Sequence, residues 1–264
     1  MQIIKAPFSG GCLGANIGCE KAPDAIISQM ENCYVSEGFN PIRPEVKGLK
    51  LNNSNIDESF MVIEEFLSSL DDIPLLIGGD HSITFPAFRA FAKKHKNPGL
   101  LVLDAHPDAV NEFSPPSHED FLRMLVKDGI VKPENIVLLG IRNPHKLELD
   151  FLKQHNIRTF FMKQCHNLGI NELTAIVMEN CLKFPSLYLS IDIDVVDPAF
   201  APATGHPEPG GFSSRDLIHM IQRLALMKNL AAMDLVEINP DKDINSITCR
   251  LGARVVKELL KPPQ

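Results

Sequence analysis

The sequence predicts an α/β fold in which a mostly parallel sheet is covered by helices on both faces. Three observations support this prediction: continuous apolar runs that suit buried strands, helical segments that alternate with them, and polar clusters that directly follow several of them. The chain has 264 residues, and 44% of them are hydrophobic, which is enough to form a large core. No low-complexity linker interrupts it, so we predict a single domain over residues 1–264.

The strands are predicted from apolar runs bounded by turn signals. The first run precedes residues 8–18, a loop with four glycines that lacks the spacing of a phosphate-binding motif. This loop either lines a site or only connects two elements. The predicted strands are Gln2–Ala6, Pro41–Val46 (a weak strand or a loop), Ile73–Ile77, Leu100–Asp104, Ile136–Leu139, Arg158–Phe161, Leu187–Asp194 and Leu230–Glu237.

Helices are predicted between these strands, where helical periodicity replaces continuous apolar runs. Their regular alternation with strands is typical of parallel sheets, whose neighbouring strands need crossover connections. The predicted helices are Ala22–Met30, Glu58–Leu70, Pro86–Lys94, Phe121–Lys127, Lys146–Gln154, Glu172–Leu182, Arg215–Leu226 and Ser246–Leu260.

Charge and cysteine content narrow the classes of partner and compartment. The formal net charge of -7 argues against a nucleic acid or an anionic membrane and suits a small cationic substrate. No apolar run approaches the roughly 20 residues that span a bilayer. The six cysteines show no C-x-x-C spacing, and the chain does not start with signal-peptide features. We therefore expect free thiols and a cytoplasmic protein.

The segment Leu187–Gly211 has carboxylates where a buried strand would normally have hydrophobic residues. Asp192 and Asp194 are two residues apart, so both should point to the same side of the predicted strand. The strand then breaks at Asp197-Pro198 into a loop rich in proline and glycine. Buried ionised carboxylates need a compensating positive charge, and a cation would supply it. Alternatively, these acids cap the next segment or form surface salt bridges.

Two further polar clusters follow predicted strands, and such strand ends are where sites form in parallel sheets. They are Gly78-Gly79-Asp80-His81-Ser82 and Asp104-Ala105-His106-Pro107-Asp108. Either histidine alone could be structural, but three clusters together favour metal ligation. Oxygen and imidazole donors without thiolate suit a hard or borderline divalent ion such as Mn²⁺. Six ligands divide naturally around two ions if Asp104 and Asp192 bridge them.

These motifs resemble those of the arginase–agmatinase (ureohydrolase) family. The likeness covers nearly the whole chain and rests on GGDHS, DAHPD, SIDIDVVDPAFAPATGHPEPGG and DLVEINP, in that order. It implies a three-layer α/β/α fold around an eight-stranded, mostly parallel sheet. It also implies two Mn²⁺ ions per subunit, hydrolysis of a guanidino or amidino C–N bond with release of urea, and assembly into homo-trimers or hexamers.

The resemblance also implies roles for individual residues. One manganese ion would be bound by His81, Asp104, Asp108 and Asp192. The other would be bound by Asp104, His106, Asp192 and Asp194. Glu237 would orient the substrate, and His118 would transfer protons without binding either manganese ion, so the candidate catalytic residues are His118, Glu237 and Asp108. Ser117 is a good N-cap, which predicts His118 in the first turn of the following helix. Without the resemblance, Glu237 could be a local cap and His118 a surface residue.

Departures from the family pattern bear on the substrate. Arginases commonly have acidic residues after Gly-x-Arg, but here Asn143-Pro144-His145 follows Arg142. The neighbour of His118 is Glu119 where the family has glycine, and Glu208 is similar to the agmatinase pattern. We therefore expect an agmatinase-like or unassigned guanidino substrate. The alternatives are arginase or formimidoylglutamase activity, a single-metal amide hydrolase of deacetylase architecture, and a non-catalytic metal-binding protein of the same fold.

Overall fold

Eight parallel strands form one sheet at the centre of the molecule. A computed structural model describes residues 1–33, 35–38, 44–71 and 74–260. The strand order is β2-β1-β3-β8-β7-β4-β5-β6, and every pairing is parallel. The predicted fold class is therefore confirmed. The strands are β1 (Gln2–Ala6), β2 (Glu45–Gly48), β3 (Pro74–Gly78), β4 (Gly99–Leu103), β5 (Ile136–Ile141), β6 (Arg158–Phe161), β7 (Leu187–Asp192) and β8 (Leu230–Val236).

Within the described residues, nine α-helices cover the two faces of the sheet. On β3, Leu75 and Ile77 face one core and Leu76 faces the other, as the alternation of side chains along a strand requires. Helices α1 and α6–α9 pack on the first face, and α2–α5 pack on the second. The helices are α1 (Ala22–Met30), α2 (Ile56–Ser68), α3 (Thr84–Lys94), α4 (Phe121–Lys127), α5 (Lys146–Gln154), α6 (Met162–Leu168), α7 (Ile170–Cys181), α8 (Ser214–Leu224) and α9 (Ile247–Leu259).

Most predicted elements lie close to the observed ones, but α6 was not predicted. This helix has seven residues and buries only Cys165, so its sequence carries no visible periodicity. Residues 41–43 and 73, which belong to two predicted strands, lie outside the described residues. All six cysteines are buried free thiols. No helix in the described ranges is long and apolar enough to cross a bilayer.

The predicted end of the central strand is wrong by two residues. Strand β7 ends at Asp192, and Ile193–Val195 forms a 3₁₀ turn. The Asp192 carboxylate accepts a hydrogen bond from the Asp194 backbone N–H at 2.8 Å, which caps that turn. Asp194 therefore reaches the end of the sheet from a turn and not from the strand.

The predicted helix Phe121–Lys127 is confirmed as α4, but its predicted N-cap is wrong. Asp120 occupies the N-cap, whereas the sequence predicts Ser117 there. The Ser117 backbone N–H and hydroxyl both donate to the Asp120 carboxylate, and this closes a separate turn over residues 117–120. His118 consequently lies in the turn before the helix, and its N–H donates to the Gly11 carbonyl at 3.0 Å.

Candidate metal centre

Four adjacent strands bring the candidate site residues to one edge of the sheet. The central order β3-β8-β7-β4 places the carboxyl ends of these strands side by side. His81 follows β3, Glu237 follows β8, Asp192 ends β7, and Asp104 follows β4. Because β3 and β4 are consecutive in the chain but separated by two other strands, a crevice opens at this edge, where parallel sheets bind ligands.

His81 lies among three carboxylates. Its Nδ1 is 2.9 Å from an Asp108 oxygen, 3.2 Å from an Asp104 oxygen and 3.3 Å from an Asp192 oxygen. Among the described residues, His81 Nδ1 and Asp104 Oδ2 are buried atoms without a hydrogen-bond partner. Buried polar atoms almost always have a hydrogen-bond partner. A nitrogen and an oxygen that lack one and face each other therefore fit the ligands of a cation.

The other ring nitrogen of His81, Nε2, faces a hydroxyl group that can accept its hydrogen bond. Ser190 Oγ donates to Asp234 Oδ1 at 2.6 Å, so it can accept from His81 Nε2, which lies 2.9 Å away. In the neutral imidazole the proton would then be on Nε2, and the Nδ1 lone pair would face the carboxylates. Asp234 also accepts hydrogen bonds from Tyr188 at 2.7 Å and Thr84 at 2.8 Å. Such outer contacts orient a metal-binding imidazole.

A second group shares Asp104 with the first. His106 Nδ1 is 2.9 Å from Asp194 Oδ2 and 3.6 Å from Asp104 Oδ1. The other Asp194 oxygen accepts a hydrogen bond from the Ala105 N–H at 3.0 Å. The groups His81–Asp104–Asp192 and Asp104–His106–Asp194 each bring one nitrogen and two oxygen atoms within 4.8 Å of one another. The structure therefore brings together all six predicted metal ligands, with Asp108 beside His81.

The electrostatics of the cluster also fit a divalent cation. Burial raises the pKa of the Asp192 carboxyl well above its ordinary value, and the nearby Asp194 and Asp104 charges raise it further. Burial and the Asp104 charge raise the pKa of Asp108 to about 8. A cation between these groups would reverse the effect and favour their ionised forms.

Glu237 is fixed by contacts from two other parts of the chain. Its Oε1 accepts the His81 N–H at 2.7 Å, and its Oε2 accepts Asn16 Nδ2 at 2.6 Å. The Glu237 backbone has φ +65°, and its N–H donates to the Gly79 carbonyl at 2.7 Å. Asn239 Nδ2 donates to Asn16 Oδ1 at 2.8 Å. The glycine-rich loop thus helps to build the site, which decides between the two roles considered for it.

His118 lies next to Glu237 and is buried. Its Nδ1 is 3.4 Å from Glu237 Oε1. Burial lowers the pKa of His118, but the Glu237 carboxylate and the Asp108 and Asp80 charges together raise it to about 9. His118 Nε2 is also buried, and no hydrogen-bond partner for it occurs in the described part of the chain. The turn over residues 117–120 therefore brings the predicted proton-transfer group to the cluster.

A cavity of about 550 Å³ opens above the two groups. Four members of the cluster form its floor, and residues 143–145 with the start of α5 form one wall. Arg142 donates to the carbonyls of Glu208 and Asp194, which ties the Pro- and Gly-rich loop to this wall. The cavity is lined by His106, Asp108, Val110, His118, Glu119, Asn143, Pro144, His145, Lys146, Glu148, Asp192, Asp194, Thr204, His206 and Glu237.

Comparison with known proteins identifies the family. The model of the arginase family matches residues 1–261. The chain belongs to the arginase family. The predicted enzyme class, a hydrolase of C–N bonds in linear amidines, is thereby confirmed.

Individual relatives of this arginase-family chain span several substrates. It is 36% identical to the arginase of Staphylococcus aureus (strain COL) over 80% of this chain and 76% of that protein. It is 36% identical to the proclavaminate amidinohydrolase of Streptomyces clavuligerus, over 98% of this chain and 86% of that protein. The solved structure of that amidinohydrolase has a TM-score of 0.89 and 29% identity, over 97% of this chain and 89% of that one. Bacillus subtilis formimidoylglutamase shares the fold with a TM-score of 0.89 at 24% identity, over 98% and 85%.

Several residues of the arginase-family site were not predicted. Asn16, Ser190 and Asp234 hold Glu237 and His81, and His206 lies over the cavity. Ser190 and Asp234 could have been noticed as polar residues inside apolar strands. Asn16 and His206 lie in loops, and nothing in the sequence indicates what they contact.

We expect Asn16→Ala to lower the free energy of unfolding by about 1–3 kcal/mol, because it leaves a buried Glu237 oxygen and a buried Asn239 donor with fewer partners. Urea denaturation measures the change. Asn111→Ala is the matched control, since Asn111 Nδ2 donates to the partly exposed Glu119 at 3.3 Å. Its cost should stay below about 1 kcal/mol. Equal losses in the two variants would contradict a structural role of Asn16 at the site.

Proposed function

We propose that this arginase-family protein is a dinuclear manganese hydrolase that releases urea from a small cationic guanidino compound. The observation that carries the proposal is the pair of His–Asp groups that share Asp104 on the floor of the cavity. Nitrogen and oxygen donors without thiolate suit Mn²⁺. The four aspartates also balance the charge of two divalent ions. From the sequence we further propose one ureohydrolase domain over residues 1–264, a cytoplasmic location and a trimer or hexamer.

The proposed ligands follow the two groups. One ion would be held by His81, Asp104, Asp108 and Asp192. The other would be held by Asp104, His106, Asp192 and Asp194. Two bound ions would lower the pKa of a shared water, so that hydroxide is available near neutral pH.

The protein's own residues would supply orientation and proton transfer. Glu237 is held by the His81 N–H and Asn16, so its carboxylate is fixed before the substrate arrives. A carboxylate in this position can pair with a planar guanidinium through charge-assisted hydrogen bonds. His118 Nε2 is free of partners among the described residues, so it can deliver a proton to the departing amine.

The wall beside α5 supports a substrate without an α-amino acid head. Glu148 is buried, and its carboxylate accepts the N–H groups of Ala109 at 2.9 Å and His145 at 2.7 Å. Asn143 Nδ2 donates to the Glu208 carboxylate. Because Glu148 and Glu208 already accept hydrogen bonds from the protein, their carboxylates are less available to bind an α-ammonium group. We therefore propose an agmatinase-like or related guanidino substrate.

The metal assignment predicts which substitutions affect both ions. Asp104→Asn or Asp192→Asn should reduce the content of both, because each carboxylate is proposed to bridge, whereas His81→Ala should weaken mainly one. Elemental analysis after reconstitution with Mn²⁺ measures this content. Asp150→Asn is the control, since Asp150 is exposed on α5. A reconstituted wild-type protein with fewer than one manganese per chain would refute the dinuclear proposal.

The proposal for the α5 wall predicts that arginine is a minor substrate. A zwitterionic head would lose its hydration without gaining matching polar contacts there. We expect at least one of agmatine and 4-guanidinobutyrate to have a higher kcat/KM than arginine. Urea release measures all three under the same conditions. If arginine exceeds both other compounds, the substrate proposal is wrong while the metal proposal stands.

His118→Ala should lower kcat by about 10²–10⁴, the usual contribution of a general acid–base group, while both manganese ions are retained. Steady-state assays of urea release and elemental analysis measure the two effects. Added imidazole should restore part of the activity. A variant with near-native kcat would show that another group carries the proton.

A further inference from the structure

Three side chains converge at the mouth of the cavity, outside both groups that share Asp104. We call His118, Glu119 and His206 the mouth cluster. Their potential ligand atoms all lie within 4.8 Å of one another. The His118 and His206 rings are stacked, with centroids 5.7 Å apart and an interplanar angle of 29°. His206 also lies edge-on to His106, with ring centroids 5.9 Å apart, so it is next to the Asp104–His106–Asp194 group as well.

The atom of His118 that faces this cluster is buried and unpartnered. Because Nδ1 faces Glu237, Nε2 is the nitrogen directed towards Glu119. The His118 side chain is only 5% exposed, and Nε2 has no hydrogen-bond partner among the described residues. A buried imidazole nitrogen without a protein partner is uncommon, and it is available to a ligand from outside the chain.

Glu119 offers one oxygen to the same space. Its Oε1 is 4.0 Å from His118 Nε2, which is too far for a hydrogen bond but leaves room for an ion between the atoms. Its Oε2 is engaged by Asn111 Nδ2 at 3.3 Å, which orients the carboxylate. A simple ion pair between His118 and Glu119 would not require His206, whose exposed ring is nevertheless stacked over His118.

The donor set selects the kind of ion. Two imidazoles and one carboxylate, with a fourth position for water, are a ligand set of zinc. Tetrahedral zinc ligands lie about 3.4 Å apart when each bond is about 2.1 Å. The cluster must therefore contract by as much as about 1.4 Å from separations within 4.8 Å. Glu119 is partly exposed and His206 is exposed, so these two side chains can move while His118 stays fixed.

We propose that the mouth cluster is a third metal site, which binds a borderline divalent ion such as Zn²⁺ separately from the manganese groups. An ion bound there would occupy His118 Nε2, the nitrogen that our proposed function assigns to proton transfer. Binding would therefore inhibit hydrolysis. The inhibitory consequence rests on the proposed function, but the binding itself does not.

The test uses protein that has first been loaded with Mn²⁺. Zn²⁺ is titrated in competition with a chromophoric chelator, and the manganese content is measured before and after. We expect one further Zn²⁺ per chain with no loss of manganese. His206→Ala and Glu119→Gln should each weaken zinc binding by at least tenfold, since even an indirect partner of a metal ligand contributes about 10- to 100-fold in affinity. His166→Ala, at an exposed position of α6, is the control and should bind zinc as the wild type does.

Activity gives a second readout. The zinc concentration that halves urea release should rise at least tenfold in His206→Ala and stay unchanged in His166→Ala. The proposal is overturned if the loaded wild-type protein takes up no further zinc, if zinc only replaces manganese, or if His206→Ala binds zinc with wild-type affinity. The manganese content reports on the dinuclear proposal separately, so failure of one proposal is distinguishable from failure of the other.

Discussion

The repulsion among buried carboxylates is the constraint on which the site depends. Asp104, Asp108, Asp192 and Asp194 converge at the ends of adjacent strands, and burial raises the pKa of three of them. Isolated ionised groups in such a place would cost more free energy than a fold of this size can spare. The same arrangement becomes favourable around divalent cations, because opposite charge compensates for lost hydration. Carboxylates that would be unfavourable without cations can therefore form a metal-binding site, and the proposed function rests on that site.

Hydrogen bonds behind the cluster make its geometry rigid. Asp234 fixes Ser190, which in turn orients His81. Glu237 is held by the His81 backbone and by Asn16. These contacts are buried, where hydrogen bonds are stronger and unmet ones are more costly than at the surface. The candidate site residues are thus supported from three directions: the sheet, the glycine-rich loop and the turn before α4.

The cavity wall bears on the substrate of this chain, which the family fold alone does not select. Arg142 ties the loop around Glu208 to the end of β5, and Asn143 engages the Glu208 carboxylate. Relatives of similar identity carry the names arginase, proclavaminate amidinohydrolase and guanidinobutyrase, so family membership alone does not select the substrate. The selection depends on which polar groups remain free at the wall after the protein has satisfied its own hydrogen bonds.

The sequence by itself determined the class of fold and the six candidate metal ligands. Apolar runs report burial of strands directly, and acids or histidines at the ends of parallel strands must lie at one edge of the sheet. Prediction from the sequence was wrong where two local signals compete. Ser117 is a residue type that favours the N-cap, but its bonds to Asp120 close a separate turn before α4, and His118 lies in that turn outside the helix.

Only the tertiary structure decided the contacts between distant parts of the chain. Asn16 meets Glu237 across 221 residues, and His81 meets Ser190 across 109. His206 reaches His118 because a Pro- and Gly-rich loop, held by Arg142, folds over the cavity. Periodicity describes how one element faces the core, but it carries no information about which loops meet above a sheet. Which loops meet is set by strand order and by hydrogen bonds between residues far apart in the chain.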